Sequence, residues 1–147
     1  MPKYLLDTNV CILVRDLRRG LQRRDPQAAL GMARLSARMA DVDLADLAMS
    51  VISMGELRYG AEKSANPARN HALLNDLKAL ITVALLSEEV CTHYGALRCQ
   101  LESTGQPIGV NDLWIAAHGL ADAMTVVTNN TREFARVPNL SLEDWTA

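Results

Sequence analysis

The sequence has little of what marks several large classes of protein. No apolar run approaches the roughly 18–20 residues of a membrane span, and Asp7 interrupts the apolar stretch a secretory signal would need. The three cysteines, Cys11, Cys91 and Cys99, are an odd, sparse set without framework spacing. That excludes a disulfide scaffold and suits a reducing compartment. Aromatic residues make up only 4%, too few for a broad base-stacking platform. There is no P-loop, GxGxxG, GxSxG elbow or HExxH. His71, His93 and His118 fall in separate helical stretches, and Cys91-Thr92-His93 with Cys99 lacks zinc spacing. All of these are read as structural or surface residues.

What is present points to one domain over residues 1–147. At 147 residues and 49% hydrophobic content the chain can bury a real core without staples. A net charge of −2 excludes a molecule that binds nucleic acid by bulk charge alone. The basic set is nevertheless unusual: twelve of its fifteen members are arginine. The guanidinium fork suits phosphate and carboxylate partners, and five of the twelve lie between Arg15 and Arg24. That stripe reads either as a phosphate-binding surface or as a solvated helix face. A soluble, cytoplasmic protein is expected.

Short apolar runs alternate with longer helical patterns. Lys3 to Leu6 reads as a strand ending at Asp7-Thr8-Asn9, where a helix starts that Gly20 stops. Asp25-Pro26 opens a second helix reaching about Ala40. Ala48 to Ile52 is a strand followed by Ser53. Asn66-Pro67 opens a helix with Leu73, Leu77 and Leu80 on one face. Ile81 to Leu86 is a strand, and Ser87 caps a helix with the stripe Val90, Tyr94, Leu97 and Leu101. Gly105 to Gly109 is a loop, Asn111 to Ala121 a helix, Thr125 to Thr128 a strand, and Leu140 to Leu142 a last short strand. Such alternation predicts an α/β fold with a central parallel sheet of about four or five strands flanked by helices. Sites in such sheets lie beyond the carboxyl ends of the strands.

Polar residues stand at these ends. Asp7 follows the first strand, Glu56 the second, Asn111-Asp112 opens a late helix, and Thr128-Asn129-Asn130 follows the fourth strand. Each has an ordinary explanation. Asp7 caps a helix, Ser53-x-x-Glu56 is a capping box, Asp112 answers a helix dipole, and the asparagines make a turn. Together they read differently, because a parallel sheet gathers these junctions on one edge. Crowded carboxylates repel, and one takes up a proton unless a positive charge holds them. A hard divalent cation does so. Magnesium, or manganese in its place, prefers carboxylate oxygen and keeps water in its shell. Such a centre activates water and stabilises a phosphoryl transition state.

Four segments in order, Leu5-Leu6-Asp7-Thr8-Asn9, Ser53-x-x-Glu56-Leu57-x-x-Gly60, Asn111-Asp112-x-x-Ile115-Ala116-Ala117 and Val127-Thr128-Asn129-Asn130-x-x-Glu133-Phe134-x-Arg136-Val137, resemble PIN-domain proteins. More narrowly they resemble the VapC toxins of bacterial toxin–antitoxin pairs, from Tyr4 to Trp145. The resemblance implies a magnesium-dependent endoribonuclease, usually a homodimer, silenced by a VapB-like antitoxin encoded beside it. Asp7, Glu56 and Asp112 match the acidic, metal-holding and catalytic positions. Thr8, Asn9, Thr128 and Asn130 match supporting polar positions. Asn130 stands where the family carries a fourth acidic residue, which weakens the case for a second metal. The stretch from Arg15 to about Asp46 is longer than the family's usual connection. Its Arg15, Arg18 and Arg19 are candidates for RNA phosphate contacts. Attack of water in line at phosphorus would leave a 5′-phosphate.

Rival readings differ in class. A strand ending in Asp also suits an aspartate-dependent phosphatase, though those resemble an Asp-x-Asp start and position 9 here is Asn9. A non-catalytic binding protein with a relict metal cleft is the other.

Overall fold

The computed structural model describes residues 1–147. Its elements in order are β1 (Tyr4–Leu6), α1 (Thr8–Arg18), α2 (Pro26–Asp41), β2 (Leu47–Ser50), α3 (Val51–Glu62), α4 (Pro67–Leu80), β3 (Thr82–Ala84), α5 (Glu88–Ser103), α6 (Val110–Ala121), β4 (Thr125–Val127), α7 (Thr131–Phe134) and β5 (Leu142–Glu143). All five strands are parallel, in the order β3-β2-β1-β4-β5.

Strand alternation divides the core into two layers. Leu6 pairs with Met49 and Val127 across the sheet, and these residues join Val10, Val14, Leu35, Leu57, Leu74 and Leu77 beneath α1 to α4. Leu5 pairs with Ala48 and Val126, and these face Leu97, Leu101, Ile115, Ala116 and Phe134 of α5 to α7. Gly119 lets α6 lie close on β4: a Cβ there would meet Val126 Cγ2 at 2.7 Å.

The expected fold class holds, and the element ends explain where the detail departs. The second strand ends at Ser50 rather than Ile52, because Ser50 caps α3 by accepting the Ile52 N–H at 3.2 Å. Ser53 and Glu56 therefore lie within α3, and the capping-box reading fails. The last strand sits at Leu142–Glu143, beyond Leu140. A single 3-10 turn at Leu44–Asp46, capped by Asp43, leads into β2. Strands of two to four residues, with β1, β2 and β4 at the buried centre of the sheet, offer little alternation to read. Cys11 is buried, Cys91 and Cys99 are exposed, and all are free thiols. No helix is long and apolar enough to cross a membrane.

The chain steps outward from β1 to β2 and β3, then returns to lay β4 on the other side of β1. Beyond the carboxyl ends of β1 and β4 this reversal opens a crevice, the usual place for a site in such a sheet.

Candidate active site

Asp7 sits in that crevice, 2% exposed. Its Oδ1 accepts the Val10 N–H at 2.9 Å, so it does cap α1. Its Oδ2 accepts the Thr128 hydroxyl at 2.5 Å from the end of β4. One carboxylate thus both starts a helix and bridges two strands. Burial raises its pKa; the Thr128 and Val10 hydrogen bonds oppose the rise, and the Glu56 charge adds to it.

Glu56 is held from α1. The Thr8 hydroxyl lies 2.7 Å from Glu56 Oε1 and 2.9 Å from Ser53 Oγ. A hydroxyl carries one proton. The ionised carboxylate needs it, so Thr8 donates to Glu56 and the fully buried Ser53 donates to Thr8. Helical spacing puts Ser53 and Glu56 on one face of α3. A pattern that resembled a cap is a polar wall of the crevice.

Asp112 lies in the first turn of α6, whose preceding Gly109 supplies no side-chain cap. Its pKa is pushed up to about 7, first by burial, then by a hydrogen bond with Glu133, then by the charges of Asp7, Glu133 and Glu56. Every carboxylate of the crevice therefore acts on Asp112. Glu133 is a site residue the sequence reading missed. It lies on the short α7, and the Asn130 amide donates to its Oε2 at 2.7 Å. Asn130 also gives its backbone N–H to Thr128 Oγ1 at 2.9 Å. The fourth carboxylate is thus Glu133, with Asn130 as its holder. The signal was present: Asn130 and Glu133 are three apart at a helix start.

Asn9 is exposed and lines a cleft of about 650 Å³ together with Thr8, Glu56, Asn111 and Arg15. Arg15 also borders a second hollow of about 320 Å³, lined by Arg18 and Arg19 on one side and by Asp76 and Leu77 of α4 on the other. Only Arg15 of the three reaches the carboxylate cleft. Arg23 is drawn away to Asp16 at 2.6 Å. His118 stays structural: its Nδ1 meets Ser50 Oγ at 3.0 Å and burial lowers its pKa.

No three His, Cys, Asp or Glu side chains are gathered tightly enough to enclose an ion by themselves. The donor chemistry still fits a hard cation that keeps part of its water shell. All the acidic groups are carboxylates, and Asp7 uses two of its roughly four acceptor sites, leaving others free. Positive charge would also relieve the repulsion on Asp112.

The PIN domain model matches residues 4–140. The chain is 37% identical to Ribonuclease VapC2 of Haemophilus influenzae over 145 residues, covering 99% of each. It is 34% identical to the tRNA(fMet)-specific endonuclease VapC of Shigella flexneri, again covering 99% of each. Among solved structures it resembles VapBC-1 from nontypeable Haemophilus influenzae, with a TM-score of 0.81, 32% identity and 98% of each chain covered. The DNA-bound VapBC from Salmonella typhimurium gives a TM-score of 0.81 at 32% identity, with 99% of each covered.

Proposed function

The chain belongs to the PIN-domain family, and from that premise we propose that it is a metal-dependent endoribonuclease, the toxin of a toxin–antitoxin pair, with residues 1–147 as one catalytic unit. The observation that carries the reading is Asp112, raised to about 7 by burial and by Glu133, Asp7 and Glu56 together. Carboxylates assembled at such cost need a reason, and cation binding supplies one. Likeness to VapC ribonucleases over the whole chain supports RNA as substrate. Likeness to VapBC structures supports an antitoxin partner.

Asp7, Glu56 and Asp112, joined by Glu133, are the residues that would hold magnesium, or manganese as a substitute. The cation supplies a polarised water and positive charge at the phosphoryl group. The chain's own residues do the positioning. Thr128 fixes Asp7, Thr8 and Ser53 fix Glu56, and Asn130 fixes Glu133. Arg15, at the edge of the same cleft, is placed to hold a flanking phosphate. Hydrolysis breaks the bond from phosphorus to the 3′-oxygen, leaving a 3′-hydroxyl and a 5′-phosphate. A phosphoaspartyl route finds no support in the chain, because Asn9 stands where an Asp-x-Asp start would carry its second carboxylate.

The reading includes association into homodimers and action in the cytoplasm, where the RNA is. The deciding experiment is expression of the protein alone in bacteria, with the 5′ ends of cellular RNA sequenced after brief induction. Growth arrest and new 5′-phosphate ends are expected, abolished by Asp7→Ala or Asp112→Ala and by co-expression of the adjacent gene. Folded variants that stay equally toxic would overturn the reading.

A further inference from the structure

We propose that Tyr59 is a positioning residue on which one RNA base stacks beside the cut site, with Lys63 taking a neighbouring phosphate; this rests on the ribonuclease reading above. The chain has only six aromatic residues. Phe134 is 0% exposed and Trp145 6%. Tyr4 packs edge-on to Trp145 with ring centroids 5.0 Å apart. Tyr94 and Trp114 stack on each other at 3.7 Å. Tyr59 alone combines an unpaired ring with exposure, at 66%.

Its position gives that exposure a purpose. Tyr59 follows Glu56 by three residues on α3, so the two share a helix face. Both line the 650 Å³ cleft, as do Thr8 and Asn111. Lys63, one turn further on, holds its Nζ 4.7 Å from the Tyr59 ring centroid. A cation over an exposed ring is a weak contact, and base stacking on an aromatic is stronger. An arriving base therefore displaces the ammonium or takes the open face, and the ammonium turns to the phosphate backbone. Lys63 and Arg15 then stand at the cleft as the cations an RNA strand needs beside a carboxylate centre that repels it. One ring reads one base. Every base has a π-face, so Tyr59 sets the register of the strand more than its sequence.

The test uses the full-length protein, magnesium and a short single-stranded RNA carrying a site that the wild type cuts. Tyr59→Ala should raise KM about 5- to 150-fold, with kcat at saturation held within about threefold and Tyr59→Phe close to wild type. An abasic nucleotide is then moved along the substrate. At one position next to the cut, its penalty and that of Tyr59→Ala should fail to add, since each removes half of the same stack. Lys63→Gln should flatten the dependence of log KM on log salt by about 0.7. Fully additive penalties at every position, or an unchanged KM in Tyr59→Ala, overturn the role of Tyr59 while leaving the nuclease reading intact. A variant that cuts RNA normally but binds the partner protein more weakly assigns the ring to that interface and overturns it equally. Wild type that cuts no RNA removes the nuclease reading and this inference together.

Discussion

Thr128 gives its hydroxyl proton to Asp7 Oδ2 at 2.5 Å, tying the carboxyl end of β4 to that of β1. Both side chains are buried, at 0% and 2% exposure. The bond closes the crevice at its base and stabilises the charged form of Asp7, which burial opposes. It also leaves Thr128 Oγ1 free to accept the Asn130 N–H and so to orient the short α7.

Thr128→Val keeps the shape and removes the donor. The buried carboxylate then loses a hydrogen bond to a charged group, worth about 1.5–3 kcal/mol. The variant is expected to lose about that much stability at pH 7, and less in acid, where Asp7 is protonated and needs a donor less. Urea unfolding at both pH values checks it. An equal loss at both would place the cost in packing alone.

Glu133 and Asn130 give a second prediction. Glu133→Gln removes a charge facing Asp112 and the carboxylate that the Asn130 amide holds. The Asp112 pKa should fall toward its ordinary range, and RNA cleavage should drop about 10- to 100-fold, the usual cost of losing a group that supports a metal site. Asn130→Asp should set one carboxylate against another where the amide now donates to Glu133 at 2.7 Å. That variant is expected to melt lower without metal, and calorimetric titration with magnesium measures what the added charge returns. A higher melting temperature in chelator would contradict this arrangement.

These two residues also show how far the sequence could be read. The parallel α/β order was legible, as were Asp7, Thr8, Asp112 and Thr128, because strand ends and helix starts leave strong local marks; Glu56, the sixth residue of α3, has no such mark and stood out only through its motif. Glu133 lies inside a recognisable motif, but Asn130 occupies the expected position and only the turn into α7 shows which side chain faces Asp112. Ser53 mimics a cap for a similar reason. The true cap, Ser50, lies three residues earlier, and a strand buried on every residue does not mark its own end. Strand order is a relation between distant segments and has no local signal at all.

Ser53 yields the third prediction. It is 0% exposed and braces Thr8, which in turn holds Glu56. Ser53→Ala should cost about 0.5–1.5 kcal/mol in stability and lower cleavage by loosening Glu56, whereas Ser53→Thr keeps the hydroxyl and is expected to retain more activity where its extra methyl fits. Thr8→Val should lower cleavage further than Ser53→Ala, because Glu56 then loses its direct partner. Thermal melting and initial rates on one RNA substrate separate the effects. Activity unchanged in Thr8→Val would mean that Glu56 needs no such support.

The final prediction concerns Asp112, whose charge state links folding to metal. Its folded pKa, about 7, lies above the ordinary 3.8. Between these values the folded chain keeps a proton that the unfolded chain has released, so the folded state binds more protons and stability falls as pH rises. The loss begins near pH 4 and levels off above about pH 7. Asp112→Asn removes this titration. Because the side chain is only partly buried, solvent screening reduces the effect to about 1–2 kcal/mol. Loss of a first-turn dipole partner takes back about 0.3–1 kcal/mol. In chelator at pH 8 the variant is therefore expected to melt above wild type, with the two converging near pH 4. Magnesium should reverse the order, since a ligand at one hundred times its Kd adds about 2.7 kcal/mol to the protein that binds it and less to one that binds weakly. Melting curves of both proteins at the two pH values, with chelator and with millimolar magnesium, decide the matter. A variant that melts lower in chelator at pH 8 and keeps the full magnesium shift would make Asp112 a helix-start residue and nothing more.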